Sequence, residues 1–275
     1  MPYLIALAVV LGVCLLYLLA ISSKAGVSRF DAFEGRPVAH RGLHSKPSIP
    51  ENSLAAFARA ADKGYGIELD VHLLSDGNLA VFHDNTLIRM TGKQGSVKDL
   101  ITEQLKEYKL ENTDEYIPTL SQVLSLVNGR VPLIIELKLE ANTRQLCKAV
   151  LSDLKGYSGA YVIESFDPRP LIWLRKKRPD ITRGQLAQGF TKKDLSLFNV
   201  GRFVLANLLL NFLTKPHFIA YKFSHRKNFS NRICTRLFAS KSILWTITNH
   251  EDFITAEREN AISIFEGFLP PIKNK

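Results

Sequence analysis

Gly66-Ile67-Glu68-Leu69-Asp70-Val71 is an apolar, β-branched run interrupted only by two carboxylates. Strand side chains alternate between faces, so Glu68 and Asp70 fall on one face of a short buried strand. Two acids side by side in a core repel each other and lose their hydration, a cost that a bound cation or a shared proton offsets. A histidine follows in Leu79-Ala80-Val81-Phe82-His83-Asp84. The pattern points to a divalent-metal site with an acid or base beside it.

Working outward, Val38-Ala39-His40 reads as a very short strand that runs into His40-Arg41-Gly42. A helix from Leu54 to about Lys63, capped by Asn52 or Ser53 and stopped at Gly64, leads back to Ile67–Val71. Strand, helix and strand within roughly 35 residues make a βαβ unit. From His72 to Tyr116 the rhythm breaks. A hairpin around Asp76-Gly77, a loop with Thr91-Gly92 and Gly95, and a short helix from Thr102 read as an inserted lid, residues 72–116.

The rhythm then resumes with a helix capped by Thr119 and running to about Val127. Strands follow at Pro132–Lys138, Ala160–Ser165, Ile181–Ala187, His217–Tyr221, Ser242–Thr248 and Ile262–Phe265. Between them lie helices over Thr143–Leu154, Pro168–Lys177, a helical region to Thr214, Asn231–Phe238 and Glu251–Glu259. Eight strands separated by helices predict an α/β fold, a (β/α)8 TIM barrel with a small insertion after strand two. Residues 266–275 are too few for a full eighth helix, which leaves the wall thin there. Phe203–Leu213 reads as one amphipathic stretch with Asn207, Asn211 and Thr214/Lys215 on one face. It suits either an in-plane membrane helix or packing on the barrel.

The 275 residues, 46% of them hydrophobic, are enough for one large domain. Cys14, Cys147 and Cys234 are odd in number and far apart, which excludes a disulfide framework or a cysteine metal site. Tyr3–Ile21 carries no charge and nearly spans a hydrocarbon core of about 30 Å as a helix. No basic residue precedes it and Ala20-Ile21-Ser22 is a mediocre cleavage site, so it is expected to stay as a single-pass anchor. The division is then anchor 1–23, linker 24–36 and barrel 37–275. Lys24, Arg29 and Arg36 follow the span and place the barrel on the cytoplasmic side by the positive-inside rule. The net charge of +10 concentrates between Thr191 and Lys241, where Asp194 is the sole acid. Next to an anchor this predicts contact with an anionic membrane surface, and no recognition motif points to nucleic acid.

Barrel chemistry sits where strands end. Those ends carry His40 and Arg41, Glu68 and Asp70, then His83 beyond the second strand. The third strand adds Glu136 and Lys138 on one face, the fourth Glu164 and the seventh Trp245. Oxygen ligands from Glu68, Asp70 and Glu136 suit a hard divalent cation, Mg²⁺ or Ca²⁺. Arg41 and Lys138 can hold an anionic phosphate, and His40 with His83 can supply an acid and a base near neutral pH. Glu164 and Trp245 fall on the substrate side. Together this is the equipment of phosphodiester cleavage.

His40-Arg41-Gly42, Pro50-Glu51-Asn52-Ser53, Glu68-Leu69-Asp70-Val71, Asp76-Gly77 and His83-Asp84 also stand in an order and spacing that carry a resemblance. So do Ile117-Pro118-Thr119-Leu120, Glu136-Leu137-Lys138, Ser165-Phe166-Asp167-Pro168 and Trp245-Thr246. The set resembles the glycerophosphodiester phosphodiesterase family. That resemblance implies a (β/α)8 barrel and hydrolysis of glycerophosphodiesters to glycerol 3-phosphate and an alcohol. It also implies a metal on Glu68, Asp70 and Glu136, with His40 and His83 as the acid/base pair. Ser53 replaces a usual Thr, Thr248 stands where Asn commonly follows the Trp-Thr pair, and Ile262–Phe268 lacks the usual Gly-Ile-Ile-Thr-Asp-like pattern. These changes touch the alcohol-binding side more than the metal side. Two other readings are a lysophospholipase D acting on lysophospholipids and a non-catalytic, membrane-bound lipid-binding adaptor.

Overall fold

The structure, a computed structural model, describes residues 1–24, 28–138, 142–192 and 199–273. It begins with helix α1 (Pro2–Ala20), none of whose residues is buried and which is long and apolar enough to cross a membrane. Strand β1 (Val38–Ala39) and helix α2 (Leu54–Asp62) come next. Ser53 caps α2, its Oγ accepting from the Ala56 amide at 3.1 Å, and Ala56, Phe57, Ala60 and Ala61 form the buried face. A small-residue stripe of this kind lets α2 sit close on β2 (Gly66–Leu73), every residue of which is buried.

β2 runs two residues past Val71 and folds back into β3 (Leu79–Val81), with Leu73 opposite Leu79 in an antiparallel pair. Asp76 fixes the turn by accepting from the Asn78 amide at 3.0 Å and from the Thr102 amide at 2.8 Å. Helix α3 (Ile88–Thr91) and two 3₁₀ turns, Val97–Asp99 and Thr102–Glu107, complete the excursion. It has a small core of its own around Phe82, Leu87, Met90, Leu105 and Ile117.

Helix α4 (Leu120–Val127), with a Thr119/Gln122 capping box, returns the chain to the barrel. The order is then β4 (Leu133–Leu137), α5 (Thr143–Asp153), β5 (Tyr161–Ser165), α6 (Pro168–Lys177) and β6 (Arg183–Ala187). Two short helices follow, α7 (Asn199–Ala206) and α8 (Asn211–Thr214), instead of one continuous segment over Phe203–Leu213. The break lies at Leu208, which is buried and takes a left-handed φ of 58°. That leucine joins the large apolar cluster of the barrel wall. Asn207 and Asn211 consequently serve different partners: Asn207 Oδ1 accepts from Asn228, and Asn211 Nδ2 donates to the Ile21 carbonyl.

The last elements are β7 (Phe218–Lys222), α9 (Phe229–Arg236), β8 (Lys241–Ile247), α10 (His250–Arg258) and β9 (Ile262–Phe265). Of the nine strands in the sheet all but β3 are parallel, and β1 pairs with both β2 and β9, closing an eight-stranded barrel. Among the described residues no helix follows β9. Instead the tail straps the wall, Pro270 accepting from the Tyr65 hydroxyl and the Lys273 amide donating to Gly35. The basic run between β6 and β8 is spread from one end of the wall to the other; its Lys193, with Asp194, lies outside the described residues, as do residues 25–27 of the linker.

Two apolar layers hold this together. Outside, the strands' outward residues meet the helices. Inside, a 3₁₀ turn over Ser28–Phe33 plugs the floor, where Phe30 meets Phe218 edge-on at 5.5 Å and Phe33 packs among the inward residues, 1% exposed. Gly184 makes room for this plug, because a Cβ there would stand 2.1 Å from the Phe218 ring. Phe33→Ala empties the floor and is expected to cost about 3–5 kcal/mol in urea unfolding. Leu237→Ala, at a 64% exposed site, should cost no more than about 0.5 kcal/mol.

Candidate active site

Parallel register lines up the acids. Asp70 on β2 sits opposite Glu136 on β4, and Glu136 opposite Glu164 on β5, so the three form a row across neighbouring strands. Glu68 lies on the same face as Asp70, two residues earlier. Glu68, Asp70 and Glu136 are all buried, and each offers an oxygen within 4.8 Å of those of the other two. Glu164 completes the group with a buried Oε2 that has no partner.

Cations and amides partly balance this charge. Lys138 Nζ donates to Asp70 Oδ1 at 3.1 Å and Glu136 Oε1 at 2.9 Å. The Arg41 amide donates to Glu68 Oε2 at 2.9 Å, and its guanidinium donates to Glu51 Oε1 at 2.8 Å and lies 3.5 Å from Asp70 Oδ2. Asn52 Nδ2 donates to Asp70 Oδ2 at 2.8 Å. Both Arg41 and Asn52 hold left-handed φ, 57° and 53°, which turns their polar groups back onto β2. Burial raises the Asp70 carboxyl, but Lys138, His83 and Arg41 overcome it and hold that group far below the usual range. Glu68 is pushed well up by burial and by Asp70 and Glu136 beside it. Glu136 is raised to about 7, burial outweighing Lys138. Glu164 is pushed well up by burial and by Glu136 and Asp70.

Each imidazole is held through Nδ1. His40 Nδ1 lies 2.7 Å from Glu266 Oε2, which leaves Nε2 turned toward Glu68, 4.0 Å away. His83 Nδ1 lies 2.7 Å from Asp84 Oδ1. Asp84 is clamped by Arg89 at 2.6 and 3.0 Å, and Arg89 also grips Glu51 at 2.7 and 3.0 Å. A continuous chain of hydrogen bonds therefore runs from His83 through Asp84, Arg89 and Glu51 to Arg41. Burial, with Lys138 and Arg41 nearby, takes His83 down to about 4. The facing wall is aromatic: Trp245 meets Phe166 edge-on at 5.6 Å, and Phe166 meets Phe190 at 5.8 Å.

All nine residues singled out from the sequence gather at this end of the barrel. His40, Arg41, Glu68, His83, Glu136, Glu164 and Trp245 line one pocket, and Lys138 bridges its Glu136 to Asp70. Arg41 and Lys138 are engaged with carboxylates rather than held free. Sequence reading missed Glu266, Glu51, Asn52 as a partner of Asp70, and the Asp84–Arg89 clamp. Glu266 had a signal, since it follows the last strand directly. Asn249, next to Thr248, is taken up by capping α10, accepting from the Asp252 amide at 2.9 Å.

The profile of the glycerophosphoryl diester phosphodiesterase family matches residues 40–250. A glycerophosphodiester phosphodiesterase of Caldanaerobacter subterraneus subsp. tengcongensis is 35% identical over 164 residues, 55% of this chain and 66% of that protein. The chain thus spans just under two thirds of that relative's length. The crystal structure of glycerophosphodiester phosphodiesterase from Thermotoga maritima superposes with a TM-score of 0.63 at 26% identity, over 84% of this chain and 93% of that one. An Oleispira antarctica phosphodiesterase in complex with the product sn-glycerol-3-phosphate gives a TM-score of 0.68 at 23% identity, over 85% and 94%. With a matched profile that takes in both histidines, the acid row and the aromatic wall, the chain belongs to the glycerophosphoryl diester phosphodiesterase family.

Proposed function

We propose that this chain hydrolyses glycerophosphodiesters to glycerol 3-phosphate and an alcohol in a metal-dependent reaction. The observation that carries this reading is the meeting of three buried carboxylates with two imidazoles, each steadied through Nδ1 by its own acid. The relative from Oleispira antarctica, which holds sn-glycerol-3-phosphate, supports the product. The donor set fits a hard divalent cation: it is all oxygen, it is crowded, and two of its three carboxyls are pushed up by burial and by the acids beside them. Glu68, Asp70 and Glu136 would hold Mg²⁺ or Ca²⁺, which supplies charge neutralisation at the phosphate oxygens.

The chain's own groups do the rest. His83, neutral at pH 7, takes the proton of the attacking nucleophile at Nε2, and Asp84 keeps the ring oriented. The pair needs one donor, and His40, braced by Glu266, gives its proton to the leaving alkoxide. Arg41 and Lys138 face the phosphate. Glu164, pushed up by burial, offers a hydrogen bond to a substrate hydroxyl, and Trp245 with Phe166 walls the organic part. Residues 72–116, which bring His83, Asp84 and Arg89, act as the cover of the site. α1 anchors the barrel to a membrane, with the barrel on the cytoplasmic side of the span.

Glycerophosphocholine supplied with Mg²⁺ or Ca²⁺ should yield glycerol 3-phosphate, and EDTA should stop it. His83→Ala should lose about 10²–10⁴ in rate while the ion still raises its Tm; no product with either metal contradicts the reading. Glu136 gives a second test. Its folded value of about 7 lies above its ordinary 4.5, so its protonated form stabilises the metal-free fold at low pH. That contribution is complete below about 4.5 and is lost as pH rises through about 7. Thermal melts in EDTA should therefore show Glu136→Gln gaining on the wild type between those two limits, and parallel curves would contradict the assignment.

A further inference from the structure

We infer that the barrel rests mouth-first on the bilayer that α1 enters, with Val200, Phe203 and Phe229 as the rim immersed in lipid. From this it follows that the substrate is a glycerophosphodiester still carrying an acyl chain in that leaflet. The substrate half rests on the phosphodiesterase reading above; the docking half does not.

The contacts of α1 set its direction. α9 begins beyond the C-terminal end of β7, on the side of the acids, and runs toward the floor. The Tyr17 hydroxyl hydrogen-bonds Ser230 Oγ at 2.7 Å and the Tyr17 ring stacks on Phe229 at 6.2 Å, at the start of α9. One turn later the Ile21 carbonyl accepts from Cys234 Sγ, further down α9, and from Asn211. The Lys24 amide then reaches Pro216 O, just ahead of β7. α1 therefore runs alongside α9 in the same direction, and everything before Tyr17 projects past the mouth.

The surface beside that exit is apolar. Tyr221, near the end of β7, donates to Ala206 O, which sets the end of α7 at the mouth side of the wall. α7 has no buried residue; Val200 is 73% exposed, Phe203 60% and, at the start of α9, Phe229 69%. Large apolar groups this exposed beside an apolar span are covered when the rim enters the bilayer interface. Lys222 at the end of β7, with Lys192 and Lys227 beyond strand ends on this side, suits anionic headgroups. Lys215 and Lys241 lie toward the floor, so charge alone does not choose the face; α1 and the aromatic rim do. Inside, Trp245, Phe166 and Phe190 form a run of touching rings leading away from the acid cluster, an apolar face suited to an acyl chain.

The test uses the full chain with its metal in phosphatidylcholine/phosphatidylglycerol vesicles. In a Cys14→Ser background, Phe203→Cys and Leu237→Cys are each labelled with a polarity-sensitive dye. The 203 label should be quenched by a lipid-borne doxyl group and shielded from iodide, and the 237 label, at the floor end of α9, should behave in the opposite way. A 203 label open to iodide, or a 237 label quenched from the lipid, overturns the docking. Val200→Asp/Phe203→Asp/Phe229→Asp should then cut hydrolysis of vesicle-borne lysophosphatidylcholine about tenfold and leave soluble glycerophosphocholine unchanged. Equal effects on the two substrates overturn the substrate class. A wild type that hydrolyses neither substrate removes the phosphodiesterase reading, while the quenching pattern decides the docking independently.

Discussion

Mutual repulsion among Glu68, Asp70, Glu136 and Glu164 is the constraint around which the rest of the barrel mouth is arranged. Parallel register forces three of them into one row, and burial denies them water. Such a cluster persists only where the closed barrel leaves its strands no other way to lie and where positive charge or protons relieve it. Lys138 and Arg41 relieve it in part, and the unequal result separates an ionised Asp70 from raised Glu68, Glu136 and Glu164. Burial lowers His83, and Lys138 and Arg41, which also steady Asp70, add to it. Asp70 and His83 are thus shifted in part by the same two neighbours.

The support around the site is built from pairs that cross the molecule. Glu266 braces His40 across the closure of the barrel, and Arg89 brings the inserted hairpin's Asp84 to Glu51 ahead of α2. The insertion is therefore tied to the barrel by charge as well as by its small core. Without that tie His83 would have its ring but no fixed direction.

Much of this was legible in the sequence because it is local. Alternation in Gly66–Val71 and in Ile134–Lys138 placed Glu68, Asp70, Glu136 and Lys138 by period alone, and Ser53, Thr119 and Gly64 marked helix ends by their capping chemistry. What escaped depends on long-range packing. Glu266 meets His40 only because the last strand returns to the first. The stretch between α7 and α8 breaks at Leu208, whose side chain is buried in the apolar cluster of the wall, a preference no propensity encodes. Arg89, on a four-residue helix inside the insertion, gave no periodic signal at all.

The claim most exposed to test is that the acids of β2 and β4 clasp a single ion. Titrating the EDTA-treated, dialysed protein with Mn²⁺ while following the free-ion electron paramagnetic resonance signal counts the bound ions directly. The account predicts one ion per chain in the wild type and none in Glu68→Gln. An unchanged stoichiometry in that variant, or no binding by the wild type, would contradict it.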